Sequence, residues 1–350
     1  MTMRYLSVCS GIEAASVAWE PLGWQPLAFA EVAKFPRKVL AHRFPSVPLH
    51  GDFTALRDQP WIVDADLLVG GTPCQAFSVA GLRGSLSDAR GNLTLEFVRL
   101  ANAVDDLRRD NGREPAWILW ENVPGVLSTA DNAFGALLGG LAGSDAAIER
   151  AGGWPGAGVV AGPRRVVAWR TLDAQYFGVA QRRRRVFVLA LAGAGGWAAA
   201  DALLPLTEGG GGDSAPCRDE GEGLAAFSAC GSASHGDIVA FQSQASVTQG
   251  LSVQFGVSPT IGTTKVPAIT KCITKGYAAR NDTETETMLA DDFGVRHLTP
   301  LECERCFGFP DGWTAIPGAS DRAQYSALGN SMAVPVMRWI GKQIDKARNR

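Results

Sequence analysis

Short, unbroken apolar runs recur along this chain, and each ends in glycine or polar residues. Tyr5 to Cys9, Pro26 to Ala30, Leu67 to Gly70, Trp117 to Trp120 and Arg185 to Ala192 have this form. A run without polar alternation suits a strand buried on both faces, and helical patterns between the runs supply crossover connections. Together they predict an α/β fold, a parallel sheet with helices on both faces. Helices are expected after the Ser10-Gly11 turn through Trp19, in the capped segment TPLECERC that begins at Thr299, and from Ala333 to Ile344. In an open α/β sheet, ligands and catalytic groups gather at the carboxyl ends of the strands. The residues just after each apolar run are therefore the first functional candidates.

The 350 residues, 46% hydrophobic and 19% charged, suit one large or two modest globular domains rather than a disordered chain. A formal net charge of −2 gives no global attraction to nucleic acid, so any such binding needs a local basic face. The N-terminal MTMRYLSVCSGIEAAS lacks the pattern of a signal peptide. The uncharged stretch Val186 to Ala200 is shorter than the roughly 20 residues that span a bilayer, so no membrane association is expected. Seven cysteines at irregular spacing form no disulfide framework and fit a reducing cytoplasm. Cys303 and Cys306 lack a second pair, and the four histidines are scattered. Neither a metal site nor a catalytic triad is expected from them.

Composition shifts after about Gly195. GGGGDSAPCRDEGEG reads as an acidic linker or loop, and Val239 to Tyr277 is rich in Ser, Thr, Gln, Gly and Val with alternating patterns such as SVQFGV. Between Ile238 and Asn281 the only charges are Lys265, Lys271, Lys275 and Arg280. They read either as a solvated face or as a surface that meets phosphates. The expected organisation is a main domain over 1–190 and 295–350, with a small, mostly β domain over 191–294.

Three segments carry chemistry. DLLVGGTPCQAFSVAG, from Asp66, places Cys74 on a loop after a strand, where a helix N-terminus or an arginine would favour its thiolate. A buried structural thiol is the competing reading. WILWENVPG, from Trp117, ends a strand in Glu121 and Asn122. Glu121 is a candidate acid, because burial favours the protonated form of a carboxyl group, although an exposed loop position would also explain it. In GVAQRRRRVFVLA, from Gly178, residues Gln181, Arg183 and Arg185 alternate into a strand and are expected on one face. Two arginines there make an anion-stabilising patch, against the plainer reading of a basic surface cluster.

PCQ, then ENV, then Gln-x-Arg-x-Arg, in this order, resemble the core signature of the DNA carbon-5 cytosine methyltransferases. GDFTAL from Gly51, RGNLTLEFVRL from Arg90, RHLTPLECERCFGFPDGW from Arg296 and YSALGNSMAVPVM from Tyr325 extend the resemblance over the whole chain except about 191–294. One block departs. The family's first motif is Phe-x-Gly-x-Gly-Gly, whereas this chain has Cys9-Ser10-Gly11-Ile12-Glu13-Ala14, keeping only the first glycine.

The resemblance implies a Rossmann-like methyltransferase sheet that uses S-adenosylmethionine, plus a target-recognition domain over 191–294. It implies that Ser10, Gly11, Ile12, Glu31, Val32, Asp52, Phe53, Leu93 and Asn330 hold the cofactor. Glu31 would take the ribose hydroxyls, Asp52 the adenine amino group, and Val32 and Phe53 would form apolar walls. It further implies that Cys74 attacks carbon 6 of a flipped-out cytosine while Glu121 holds a proton on ring nitrogen 3. Arg183 would position the base, with Arg185 supporting it. Gln75, Ser78, Arg83, Lys265, Lys271, Lys275 and Arg280 are the candidate DNA-binding residues. The expected partner is double-stranded DNA, bound by a monomer in the cytoplasm at the nucleoid. An RNA carbon-5 cytosine methyltransferase, a DNA-binding protein without catalysis, and a NAD-dependent enzyme are the competing classes. The last lacks a G-x-G-x-x-G fingerprint.

Overall fold

The computed structural model describes residues 2–73, 93–193, 195–204, 273, 288–291 and 294–349. Eight strands form one sheet: β1 (Arg4–Val8), β2 (Gln25–Ala30), β3 (Leu49–His50), β4 (Leu67–Gly70), β5 (Trp117–Asn122), β6 (Ala157–Ala161), β7 (Arg165–Asp173) and β8 (Arg184–Ala192). Their spatial order is β3-β2-β1-β4-β5-β8-β7-β6. The first five are parallel, and β8, β7 and β6 extend them antiparallel.

The parallel half follows from the apolar runs, and every residue of β4 is buried. The antiparallel half departs from the expected parallel sheet. β7 and β8 are joined by Ala174–Arg183, which opens with a 3-10 turn at Ala174–Phe177, and they pair directly. A connection that short cannot cross over to a parallel neighbour.

The helices around the sheet are α1 (Ala14–Trp19), α2 (Lys34–Arg43), α3 (Leu93–Asp110), α4 (Ala133–Ala142) and α5 (Ala198–Leu203). α3 buries Leu95, Phe97, Val98, Leu100, Ala101 and Val104 along one stripe, the 3.6-residue period of a helix on a sheet. Phe97, Val98, Leu100, Ala101 and Val104 pack into a core with Leu6, Val8, Leu68, Ile118, Trp120 and Val188 from the strands. Gly70 ends β4 where a Cβ would lie 2.7 Å from Val8 Cγ2 and 3.0 Å from Phe97. Only glycine lets the strand close there against both neighbours.

The chain divides into two units. Met1–Asp173, Arg184–Ser214 and Val336–Arg350 make the first, and Ala174–Arg183 with Ala215–Pro335 the second. β8 runs to Ala192 and α5 follows it in the first unit, so the sheet continues past the boundary expected at residue 190. Of the segment 295–350, α6 (Pro300–Phe307) and α7 (Asp321–Gly329) fall in the second unit, whereas α8 (Val334–Arg348) runs into the first. There the Trp19 indole donates to the Met337 carbonyl (2.8 Å) and the Trp24 indole to Asp345 (3.2 Å).

In the second unit β9 (Met288–Asp291) and β10 (Gly294–His297) form an antiparallel hairpin. α6 begins with the capping box that its sequence announces, in which Thr299 Oγ1 accepts from the Glu302 N–H and Glu302 accepts from the Thr299 N–H. Among the described residues, no helix is long and apolar enough to cross a membrane.

Candidate active site

The parallel strands bring their trailing residues to one edge of the sheet in the order Asp52, Glu31, Ser10-Gly11, Thr72-Pro73 and Glu121. After β1 the backbone enters the left-handed region three times, at Cys9 (φ 50°), Gly11 (φ 57°) and Glu13 (φ 66°). This turn points the Gly11 N–H at Glu31 Oε2 (2.8 Å), while Glu31 Oε1 accepts from the Ala33 N–H (2.7 Å). Ser10 Oγ fastens the turn to β2 by accepting from the Ala30 N–H (3.2 Å) and to β1 by donating to the Ser7 carbonyl (2.9 Å). The Arg37 guanidinium donates to the carbonyls of Glu31 and His50, which ties the ends of β2 and β3 together. Sequence reasoning missed Arg37, because nothing local marks a helix arginine as the link between two strand ends.

The remaining expected cofactor residues divide by exposure. Val32 is 70% exposed, whereas Phe53 lies in the core at 4%, so Val32 is the wall that offers free surface. Ile12 is fully buried and Leu93 packs against the core. Asp52 is exposed and accepts from the Thr54 N–H (2.9 Å), which caps a short 3-10 turn. Asn330 follows α7 in the second unit. Burial, followed by the charges of Glu31 and Asp52, pushes the Cys9 thiol up to about 12. Cys9 therefore stays a thiol and offers no nucleophile at neutral pH. Burial likewise raises Cys303.

On the other side of β4, the chain leading to Cys74 is held by buried hydrogen bonds. Thr72 Oγ1 lies 2.7 Å from Thr94 Oγ1 and accepts from the Trp120 indole (2.8 Å), and the Asn122 amide donates to the Thr72 carbonyl (3.0 Å). Thr72 and Trp120 were invisible as functional residues, since each reads as ordinary strand filling. Asn122 was signalled only by its place beside Glu121.

Glu121 and Arg185 meet across the β5–β8 ladder. Arg185 Nε lies 3.2 Å from Glu121 Oε1, with side chains 15% and 12% exposed. Because β8 is antiparallel to β5, its amino end lies beside the carboxyl end of β5, with Asn122 opposite Val186. A guanidinium against a carboxylate so little exposed offsets the desolvation that burial alone imposes.

β8 begins at Arg184, and burial alternates ahead of it, with Gln181 and Arg183 buried and Arg182 and Arg184 exposed. Arg183 is buried in the second unit, 4.8 Å above the Phe307 ring. It donates to the carbonyls of Ile273 (3.2 Å), Gly329 (3.0 Å) and Ser331 (2.6 Å). Gln181 is buried in the same unit and donates to the Cys306 carbonyl (3.2 Å). Cys74, Gln75, Ser78, Arg83, Lys265, Lys271, Lys275 and Arg280 lie outside the described residues.

The chain matches the model of the C-5 cytosine-specific DNA methylases over residues 3–197 and 231–346. It is 39% identical to a protein named DNA N-6-adenine-methyltransferase of Escherichia phage P1, over 98% of this chain but only 61% of that protein's length. It is 25% identical to the type II methyltransferase M.HpaII of Haemophilus parainfluenzae, over 97% of this chain and 88% of the relative. Its fold is similar to that of the Entamoeba histolytica methyltransferase EhMeth, with a TM-score of 0.60 at 13% identity over 99% of this chain and 98% of that one. The family match covers most of the chain, including the strand ends that carry Glu31, Thr72 and Glu121, and the chain belongs to the C-5 cytosine-specific DNA methylases.

Proposed function

We propose that the protein transfers a methyl group from S-adenosylmethionine to carbon 5 of a flipped-out cytosine in double-stranded DNA, with Cys74 as the covalent nucleophile. The observation that carries this reading is the Glu121–Arg185 pair beside the held Thr72-Pro73 lead into Cys74. Its family membership agrees with it.

The edge residues suit the cofactor. Each Glu31 oxygen accepts one backbone N–H and keeps a lone pair for a ribose hydroxyl. Asp52 can accept from an adenine amino group, and Val32 offers an apolar wall. When bound, S-adenosylmethionine supplies an electrophilic methyl group.

The protein's own residues make carbon 5 nucleophilic. The Cys74 thiolate forms a bond to carbon 6, and the electron pair of the 5,6 double bond moves onto carbon 5, while Glu121 holds a proton on ring nitrogen 3. Once carbon 5 carries the methyl group, its proton leaves to a base. The sulfur–carbon bond then breaks, the double bond is restored, and nitrogen 3 gives up its proton. Arg185 steadies Glu121 during this cycle. Arg183 contributes to base positioning by holding the carbonyls of Gly329 and Ser331. Extruding the base costs a few kcal/mol, offset by interactions in the pocket. Gln75, Ser78 and Arg83 meet the DNA beside the target base, and 191–294 reads the site.

The name of the phage P1 relative raises adenine nitrogen 6 as a second target. An exocyclic amine needs no thiol adduct, so that reading leaves Cys74 and the Glu121–Arg185 pair without a task. The deciding experiment incubates the purified protein with S-adenosylmethionine and duplex DNA and identifies the methylated nucleoside. Duplex containing 5-fluorocytosine should trap a covalent complex that Cys74→Ser abolishes. Appearance of N6-methyladenine alone, or an equal adduct yield from the serine variant, would refute the proposal.

A further inference from the structure

The first motif keeps one glycine of three, yet its turn is left-handed where the family places glycine. Glu13 holds φ 66°, a conformation that costs an L-residue roughly 1–2 kcal/mol. Its side chain turns inward and is 1% exposed. Glu13 Oε2 accepts from Ser7 Oγ (2.9 Å), and Oε1 accepts from the Ser16 N–H and Ser16 Oγ (both 3.2 Å). The carboxylate therefore joins the end of β1 to the first turn of α1 across the bend that carries Gly11. The Glu13 N–H also closes the bend by donating to the Ser10 carbonyl (3.0 Å).

The network continues beneath the turn. Ser16 Oγ lies 2.6 Å from the Tyr5 hydroxyl, and the Tyr5 ring packs edge-on against Trp19, with centroids 5.0 Å apart. A glycine at position 13 would adopt the bend without strain but would supply none of these bonds.

We propose that Glu13 is a positioning residue for cofactor binding, its buried carboxylate holding the Ser10–Glu13 turn so that the Gly11 N–H stays aimed at Glu31. It does not touch the cofactor, because its oxygens face Ser7 and Ser16. The inference rests on the cofactor reading above and adds to it a device that the family's glycines do not provide. Glutamine can keep the links, since its carbonyl accepts from Ser16 and its amide can donate to the Ser7 hydroxyl.

The test measures S-adenosylhomocysteine affinity by calorimetry, and KM for S-adenosylmethionine against kcat, in the wild type and in Glu13→Ala, Glu13→Gly, Glu13→Asp and Glu13→Gln. Losing these buried hydrogen bonds should weaken affinity about tenfold in the Ala and Gly variants. KM should rise more than kcat falls, and Gln should restore binding to near the wild-type value. Should the small variants fail to fold, Glu13→Asp keeps a carboxyl group but withdraws it from Ser7 and Ser16, and it should show the same loss of affinity. Wild-type binding with equal affinity in the folded Ala, Gly or Asp variants would overturn this inference alone. A wild type that binds no S-adenosylhomocysteine would overturn the cofactor reading, and this inference with it.

Discussion

Replacing Glu13 by glutamine should flatten the pH dependence of stability, because the carboxyl group is ionised in the unfolded chain at a pH where the fold prefers it neutral. Desolvation by burial raises its pKa from 4.5 to about 7, against the lowering effect of the hydrogen bonds from Ser7 and Ser16. A raised folded-state value means that the folded state holds a proton which the unfolded state has released. The corresponding stability is fully present below pH 4.5 and is lost as pH rises through about 7. At about 1.4 kcal/mol per pKa unit the full span is about 3 kcal/mol, of which about 2.5 kcal/mol falls between pH 5 and pH 8. Neighbouring groups titrate too, so the useful quantity is the difference between variant and wild type, in which shared contributions cancel. Burial also keeps Tyr5 and Cys9 neutral over this window. Urea unfolding followed by tryptophan fluorescence at several pH values measures that difference. Glu13→Gln should gain on the wild type by about 2–3 kcal/mol from pH 5 to pH 8. A constant difference across that window would refute the reasoning and would mean that Glu13 is solvated or already balanced by its donors.

Glu31→Ala should weaken S-adenosylmethionine binding by roughly 1–3 kcal/mol, read by calorimetry, since it removes a charged acceptor and releases the Gly11 and Ala33 N–H groups. Gly341→Ala should lower stability by about 1–3 kcal/mol in urea unfolding. Its Cβ would lie 2.7 Å from the Trp19 indole and 2.8 Å from Leu22, outweighing the roughly 1 kcal/mol that alanine gains over glycine in a helix. Replacing Lys265, Lys271, Lys275 and Arg280 by alanine should weaken DNA binding and reduce its salt slope by about 1 for each phosphate that is no longer neutralised. Cofactor affinity should stay unchanged, and an unaltered slope would place these cations away from the DNA.

Much of the parallel sheet was legible in the linear chain because its cause is local. Leu67 to Gly70 is apolar throughout and ends in glycines, and the observed strand has those limits. Thr299 and Glu302 stand three apart before an apolar stripe, and they cap α6 as that spacing requires. The candidate residues Glu31 and Glu121 could be named because each follows such a run, whereas Asp52 was marked only by the family resemblance of GDFTAL.

Tertiary structure decided what depends on partners distant in sequence. A strand buried on both faces is equally apolar in either direction, so the antiparallel course of β8 could not be read from Val186 to Ala192. That direction is what sets Arg185 against Glu121. The QRRRR run alternates between buried and exposed residues, but only the folded chain gives buried Arg183 its partners, the carbonyls of Gly329 and Ser331. In the first motif the sequence showed only that glycines were missing. The structure keeps the left-handed bend because Ser7 and Ser16, brought together by β1 and α1, offer Glu13 buried hydrogen bonds that offset its strain. Hydrophobic pattern is written in neighbouring residues, whereas a strand's direction and a buried charge's partners exist only after the chain has folded back on itself.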